Sequence, residues 1–125
     1  MITVKDWMSK PVLTTKPGTS VLEAAKKMTK HNIGSIVISE DGKKPLGIIT
    51  ERDVLKKVIA QKVDAEKTNV DEIMTKKPLS VDVETSLLDI SKIMNKNSLR
   101  RILVTQKDEM IGIVTSRDLL QLMAG

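Results

Sequence analysis

A chain of 125 residues with no cysteine has no access to disulfides, thiol chemistry or thiolate metal sites, and a single histidine leaves little for metal binding or acid–base work. Hydrophobic residues at 40% and charged residues at 30% are an ordinary balance for a folded module, and no apolar run approaches the ~20 residues of a membrane span. The 21 basic and 16 acidic side chains leave a net +5, which invites phosphate contacts, yet with no Phe, no Tyr and only Trp7 the stacking platforms of a nucleic-acid binder are missing. No signal-peptide pattern opens the chain, and the absence of cysteine fits an expected reducing, cytoplasmic setting.

In chain order, "PVLTT" (residues 11–15) reads as a short extended piece. An amphipathic helix begun by Ser20 follows, with Val21, Leu22, Ala24, Ala25 and Met28 as its apolar stripe. Two strands, "SIVIS" (35–39) and "LGIIT" (46–50), are joined by turn-rich "EDGKKP". A second helix starts at Arg52 and turns Val54, Leu55, Val58 and Ile59 inward. Residues 61–69, "QKVDAEKTN", read as a charged linker.

The same series then begins again. "PLSVD" is extended, and Ser86 opens a helix with the stripe Leu87, Leu88, Ile90, Ile93 and Met94. "RILVT" and "MIGIVT" are strands joined by "QKDE", and a last helix from Arg117 turns Leu119, Leu120, Leu122 and Met123 inward. Residues 4–30 align without a gap to 70–96, placing Met8 on Met74, Ser20 on Ser86 and Met28 on Met94. The alignment continues into "GIITERDVL" (47–55) and "GIVTSRDLL" (112–120). The expected fold class is α+β: two βαββα repeats, 1–60 and 70–125, packed sheet to sheet with pseudo-two-fold symmetry into one compact module.

Chemistry could sit at Thr50 and Asp53, with their counterparts Thr115 and Asp118. T-x-x-D at a helix start is a capping-box variant, and Ser20 with Glu23, Ser86 with Asp89 and Thr3 with Asp6 repeat that spacing. Spacing alone therefore favours plain capping. The lead-in differs, because each motif follows a strand and a glycine and carries an arginine in its first turn. A strand end opening onto a helix N-terminus presents free N–H groups to phosphate, and an ionised aspartate there suits two vicinal ribose hydroxyls. His31, with Asn97 as its counterpart, lacks the partners of a metal or acid–base site. The repeat-equivalent methionines read as core, and Trp7, opposite Ile73, as a residue wedged in an interface. No catalytic set distinguishes itself, so an enzyme is not expected.

The duplicated M-[ST]-x…[ST]-x-L…G-I-[IV]-T-x-R-D layout resembles a tandem pair of cystathionine β-synthase (CBS) domains, the Bateman module, over residues 1 to about 124. The resemblance implies a stand-alone regulatory module that binds AMP, ADP, ATP or S-adenosylmethionine in two clefts between the repeats. No cofactor is required beyond that regulatory adenine nucleotide. It places Thr115, Arg117 and Asp118, with Arg100 and Arg101, at ribose and phosphate in one cleft, with Ser9, Pro11, Val12, Ile33, Gly34 and Ser35 around adenine. The other cleft would use Thr50, Arg52 and Asp53 against Thr75, Pro78, Leu79 and Leu99. It also implies a homodimer through helix residues such as Val54, Val58, Leu119 and Met123, and a regulated partner protein. No membrane partner is expected. The alternatives are a structural or interaction module with empty clefts, and a basic nucleic-acid-binding protein, which strong salt dependence would distinguish.

Overall fold

The computed structural model describes residues 2–124, which divide into two compact units. One runs from Leu13 to Pro78; the other joins the N-terminal stretch through Val12 to the chain from Leu79 onward. The α+β repeat is present in both.

In the Leu13–Pro78 unit, β1 (Thr14–Thr15) lies parallel to β2 (Ser35–Ile38), and β3 (Gly47–Thr50) runs antiparallel to β2. The helix α1 (Val21–His31) connects β1 to β2. Ser20 Oγ accepts from the Glu23 N–H at 3.1 Å, as the spacing predicts, and starts it. Asn32, left-handed at φ 53°, ends it, with the Ile33 N–H donating to the Met28 carbonyl at 3.0 Å. After β3 the chain turns into α2 (Glu51–Val54), which widens into a π turn over Leu55–Ile59. Residues 61–69 then return to the head of α1: the Val21 N–H donates to Thr68 O at 2.8 Å and the Leu22 N–H to Ala65 O at 3.0 Å. A short helix, α3 (Val70–Ile73), and a fourth strand, β4 (Thr75–Lys76), antiparallel to β3, complete the unit. Its core is Val21, Ala24, Met28, Ile36, Ile38, Ile49, Val58, Val70 and Ile73.

The other unit repeats the plan with β5 (Ser80–Asp82), α4 (Leu87–Asn97), β6 (Arg101–Gln106), β7 (Glu109–Thr115) and α5 (Ser116–Ala124). The β5–β6 pair is parallel and β6–β7 antiparallel. Ser86 Oγ caps α4 by accepting from the Asp89 N–H at 3.1 Å. Thr3 opens only a 3₁₀ turn, Val4–Asp6, and its side chain makes no cap hydrogen bond, so the spacing over-read a box there. That turn still matters. Val4 is fully buried and its N–H donates to Thr85 O at 2.9 Å, while Trp7 and Met8 pack against the core of Val83, Leu87, Ile90, Met94, Ile102, Val104 and Val114.

The lead-in of each repeat is therefore built into the unit that holds the other repeat's sheet. Residues 4–8 lie with β7, and their counterparts 70–74 lie with β3. The motif glycines follow from this close approach. A Cβ on Gly112 would stand 2.5 Å from Met8 Sδ and 3.1 Å from Ser9 O. On Gly47 it would meet Met74 Cγ at 2.7 Å and Thr75 O at 2.9 Å. Only glycine leaves room for the methionine.

The helix faces need correction. Leu55 and Ile59 are 56% and 62% exposed, and Leu88, Leu120 and Met123 reach 65%, 63% and 83%, so these five do not turn into a core. Val58 is buried, which removes it from the expected dimer face, while Val54 and Leu119 are partly buried against their cores. The physical reason is the width of the inward stripe. Short helices lying on a three- or four-stranded sheet cover it with one or two residues per turn, and flanking apolar positions stay outside.

Candidate functional site

Each unit turns from strand to helix at its T-x-R-D motif. Thr50 is N-cap of α2: its Oγ1 accepts from the Asp53 N–H at 3.2 Å, and Asp53 Oδ2 accepts from the Thr50 N–H at 2.8 Å and its hydroxyl at 3.1 Å. Thr115 and Asp118 repeat the arrangement at the head of α5, at 3.3, 2.8 and 3.2 Å. The capping reading holds, and it does not exclude a binding role. Both contacts made by each carboxylate use Oδ2, so each Oδ1 lies outside the cap. Both aspartates are partly buried, whereas Arg52 and Arg117 are exposed.

The start of the middle strand abuts the same corner. Ser35 pairs with Thr50 across β2 and β3, and the Glu51 N–H donates to Gly34 O at 2.9 Å. In the other unit Arg101 pairs with Thr115, and the Ser116 N–H donates to Arg100 O at 2.8 Å. Arg101 is half-buried and Arg100 exposed. Among the described residues neither arginine pairs with Asp108 or Glu109, the acids nearest in sequence.

The expected residues divide between the units. Thr50, Arg52, Asp53, Ile33, Gly34, Ser35, Thr75 and Pro78 belong to the Leu13–Pro78 unit; Ser9, Pro11, Val12, Leu79, Leu99, Arg100, Arg101, Thr115, Arg117 and Asp118 belong to the other. Ser9 is tied to the strand that leads into Thr115, its N–H donating to Ile113 O at 2.8 Å and its carbonyl accepting from the Ile113 N–H at 3.0 Å. Thr75 holds the corresponding place beside Ile48 of β3. A residue absent from the expected set also reaches a motif. Lys57 Nζ lies 3.4 Å from Asp53 Oδ1. The apolar stripe read from this helix, Val54, Leu55, Val58 and Ile59, leaves it out.

Among the described residues no group of three or more His, Cys, Asp or Glu could hold a metal ion, and His31 is exposed on the last turn of α1. No helix there is long and apolar enough to cross a membrane.

Known proteins show the same pattern. The CBS-domain family model matches residues 4–60 and 70–125. The CBS domain-containing protein YhcV of Bacillus subtilis is 35% identical over 119 residues, covering 95% of this chain and 84% of that protein. Protein MK0525 of Methanopyrus kandleri is 34% identical over 121 residues, covering 96% of this chain, which spans only 62% of that protein's length. A crystal structure of the CBS domain pair of protein MJ0100, in complex with 5′-methylthioadenosine and S-adenosyl-L-methionine, superimposes with a TM-score of 0.89 at 33% identity, covering 100% of this chain and 98% of that one. With both repeats matched and both strand-to-helix motifs in place, the chain belongs to the CBS-domain family as a tandem pair.

Proposed function

We propose that this chain is a non-catalytic regulatory module that binds an adenosyl ligand through its two T-x-R-D motifs and signals occupancy to a partner protein. The observation that carries the reading is the division of labour within each carboxylate. Oδ2 of Asp53 and of Asp118 is held by the cap, which fixes the side chain, while Oδ1 takes no part in the cap hydrogen bonds. A fixed carboxylate with a spare oxygen is a suitable acceptor for ribose hydroxyls, since it loses little freedom on binding. The MJ0100 domain pair, similar over the whole chain, was crystallised with two adenosyl ligands, which supports that ligand class here. AMP, ADP, ATP and S-adenosylmethionine are the candidates. The adenine-facing residues remain Ser9, Pro11, Val12, Ile33, Gly34, Ser35, Thr75, Pro78, Leu79 and Leu99.

Calorimetric titration with AMP, ADP, ATP and S-adenosylmethionine, with NADH and a short RNA as controls, tests the reading. Saturable heat with at least one adenosyl ligand, lost in the Asp53→Ala/Asp118→Ala double variant, is the expected result. Silence across all of them would favour an interaction module with empty sites. Binding to RNA alone, with steep salt dependence, would favour the nucleic-acid alternative.

A further inference from the structure

The two motifs differ at a position that the repeat conceals. Residue 57 aligns with residue 122, and the helices that carry them are wound differently. α5 stays α-helical, and Leu119 and Leu122 both pack against the core of their unit. In the other unit the helix widens after Val54: the Ala60 N–H donates to Leu55 O at 2.9 Å, five residues back. The core contacts there are Val54 and Val58, one residue wider apart. Position 57 is thereby rotated off the core and carries a lysine where its counterpart is leucine.

Lys57 has two anchors. Its ammonium donates to the carbonyl of Ile73, at the end of α3, at 2.8 Å, and lies 3.4 Å from Asp53 Oδ1. That is the carboxylate oxygen outside the cap. Among the described residues Asp118 has no ion pair, and its Oδ1 accepts no hydrogen bond. An exposed ion pair alone would mean little. Here the Asp53 side chain is only 19% exposed, the carbonyl holds the ammonium in place, and the π turn that aims it is a feature found often at functional sites.

We propose that Lys57 is a tethered internal competitor for Asp53, so that an adenosyl ligand engages this motif only by displacing the ammonium, while Asp118 stands open. The inference rests on the reading of the motif aspartates as ribose acceptors. The ammonium stands against Oδ1 as an ion pair, and two vicinal ribose hydroxyls donating to that same oxygen would need both of its lone pairs and the space the ammonium fills. Displacement adds a cost at the Asp53 motif that the Asp118 motif lacks. Because salt screens a partly exposed pair, that cost falls as ionic strength rises.

The experiment uses 5′-methylthioadenosine, which has the ribose and no phosphate, so that the freed lysine gains no anionic partner. Lys57→Leu, which installs the second repeat's residue, and Lys57→Gln are each made in the Asp118→Ala chain, where only the first motif is intact. Both should tighten binding about two- to fivefold, the scale of a screened pair. Raising salt should tighten the Asp118→Ala chain and leave its Lys57→Leu derivative unchanged. In the Asp53→Ala chain Lys57→Leu should change nothing. Weaker or unchanged binding in the Asp118→Ala background overturns the proposal, as does a first motif that stays silent in both Lys57 variants while Asp53→Ala still binds. If the unmutated chain takes up no adenosyl ligand at all, the functional reading itself has failed, and its silence identifies that case.

Discussion

Thr115 and Asp118 exchange hydrogen bonds across the first turn of α5, the Asp118 carboxylate accepting from the Thr115 N–H at 2.8 Å and the Asp118 backbone N–H donating to Thr115 Oγ1 at 3.3 Å. Asp118 thus supports the cap of a helix and, in the function proposed above, also accepts from the ligand, and the two roles can be separated. Asp118→Asn keeps an oxygen for the cap and puts an amide donor where ribose would donate. Its melting temperature should stay within about 2 °C of the parent, while Asp118→Ala falls by roughly 4 °C for a lost cap of ~1 kcal/mol. Both should lose adenosyl binding at that motif. Thermal melts beside calorimetry check the pair, and an Asp118→Asn chain that binds normally would show that the carboxylate serves the helix alone.

Gly112 and Gly47 should resist even alanine. The added methyl would run into Met8 or Met74 and into the carbonyl of Ser9 or Thr75. Overpacking of that kind costs about 1–3 kcal/mol, and the backbone oxygen cannot move aside as a flexible side chain can. Urea unfolding of Gly112→Ala and Gly47→Ala should show lower midpoints. Met8→Ala should recover part of the Gly112→Ala loss, because it removes the side-chain half of the clash.

The motifs should also differ toward phosphate. Beside Thr115 stand Arg100 and Arg101, where the first repeat has Gly34 and Ser35; beside Thr50 stands Glu51, where the second has Ser116. Beyond the arginine that each motif carries, the Thr115 corner adds two cations, whereas the Thr50 corner adds an anion and a lysine, Lys57, already paired with Asp53. An arginine–phosphate hydrogen bond contributes about 1.5–3 kcal/mol, so AMP should exceed adenosine by roughly tenfold or more at the Asp118 motif and by little at the Asp53 motif. Titrating Asp53→Ala and Asp118→Ala with both ligands measures this. A phosphate preference that survives in Asp118→Ala and vanishes in Asp53→Ala would reverse the assignment.

Association into a homodimer is expected through Leu55, Ile59, Leu120 and Met123, whose exposure leaves apolar surface that a monomer seldom keeps. Light scattering at tens of micromolar, a concentration suited to standard-size interfaces, should give twice the chain mass. Leu55→Glu/Leu120→Glu should give the single mass with little loss of stability, since neither side chain enters a core. A parent chain that is already monomeric removes the prediction.

Acid should loosen the loop between β2 and β3 only once the pH has fallen below the ordinary carboxylate range. The N–H groups of Lys43 and Lys44, donating to Asp41 at 2.8 and 3.1 Å, hold its carboxyl below the ordinary 3.8. A folded value lower than the unfolded one stabilises the loop fully above that ordinary value, and the contribution fades as pH falls through the lowered one. Carbon-detected titration of the Asp41 carboxyl should find its midpoint below that of a model peptide, and Asp41→Asn should abolish the pH dependence of the Lys43 and Lys44 amide shifts.

Much of this architecture is written locally. Continuous apolar runs such as "RILVT" and the stripe of Val21, Ala24 and Met28 need only their own neighbours to announce strand and helix, and the duplication tells where each element recurs. What stayed hidden depends on distant contact. Met8 and Met74 look interchangeable in the repeat, and nothing near either of them says that it packs against Gly112 or Gly47. The π turn at Leu55–Ile59 has no local signal, so Lys57 is not singled out and Leu55 and Ile59 read as core. At the candidate site the capping geometry of Thr50 and Thr115 was readable from spacing, whereas the spare oxygen and its lysine neighbour required coordinates.

The borrowed lead-in makes the chain resistant to halving. A cut in the 61–69 stretch, where the two repeats meet in sequence, would strip Val70 and Ile73 from one core and Val4, Trp7 and Met8 from the other. Each fragment would carry a piece the other needs, and neither should fold until both are mixed. The Leu13–Pro78 unit is in effect a guest threaded through its host's chain. Two scissions, after Val12 and after Pro78, would be needed to release it whole, and the host would have to be re-ligated across the gap.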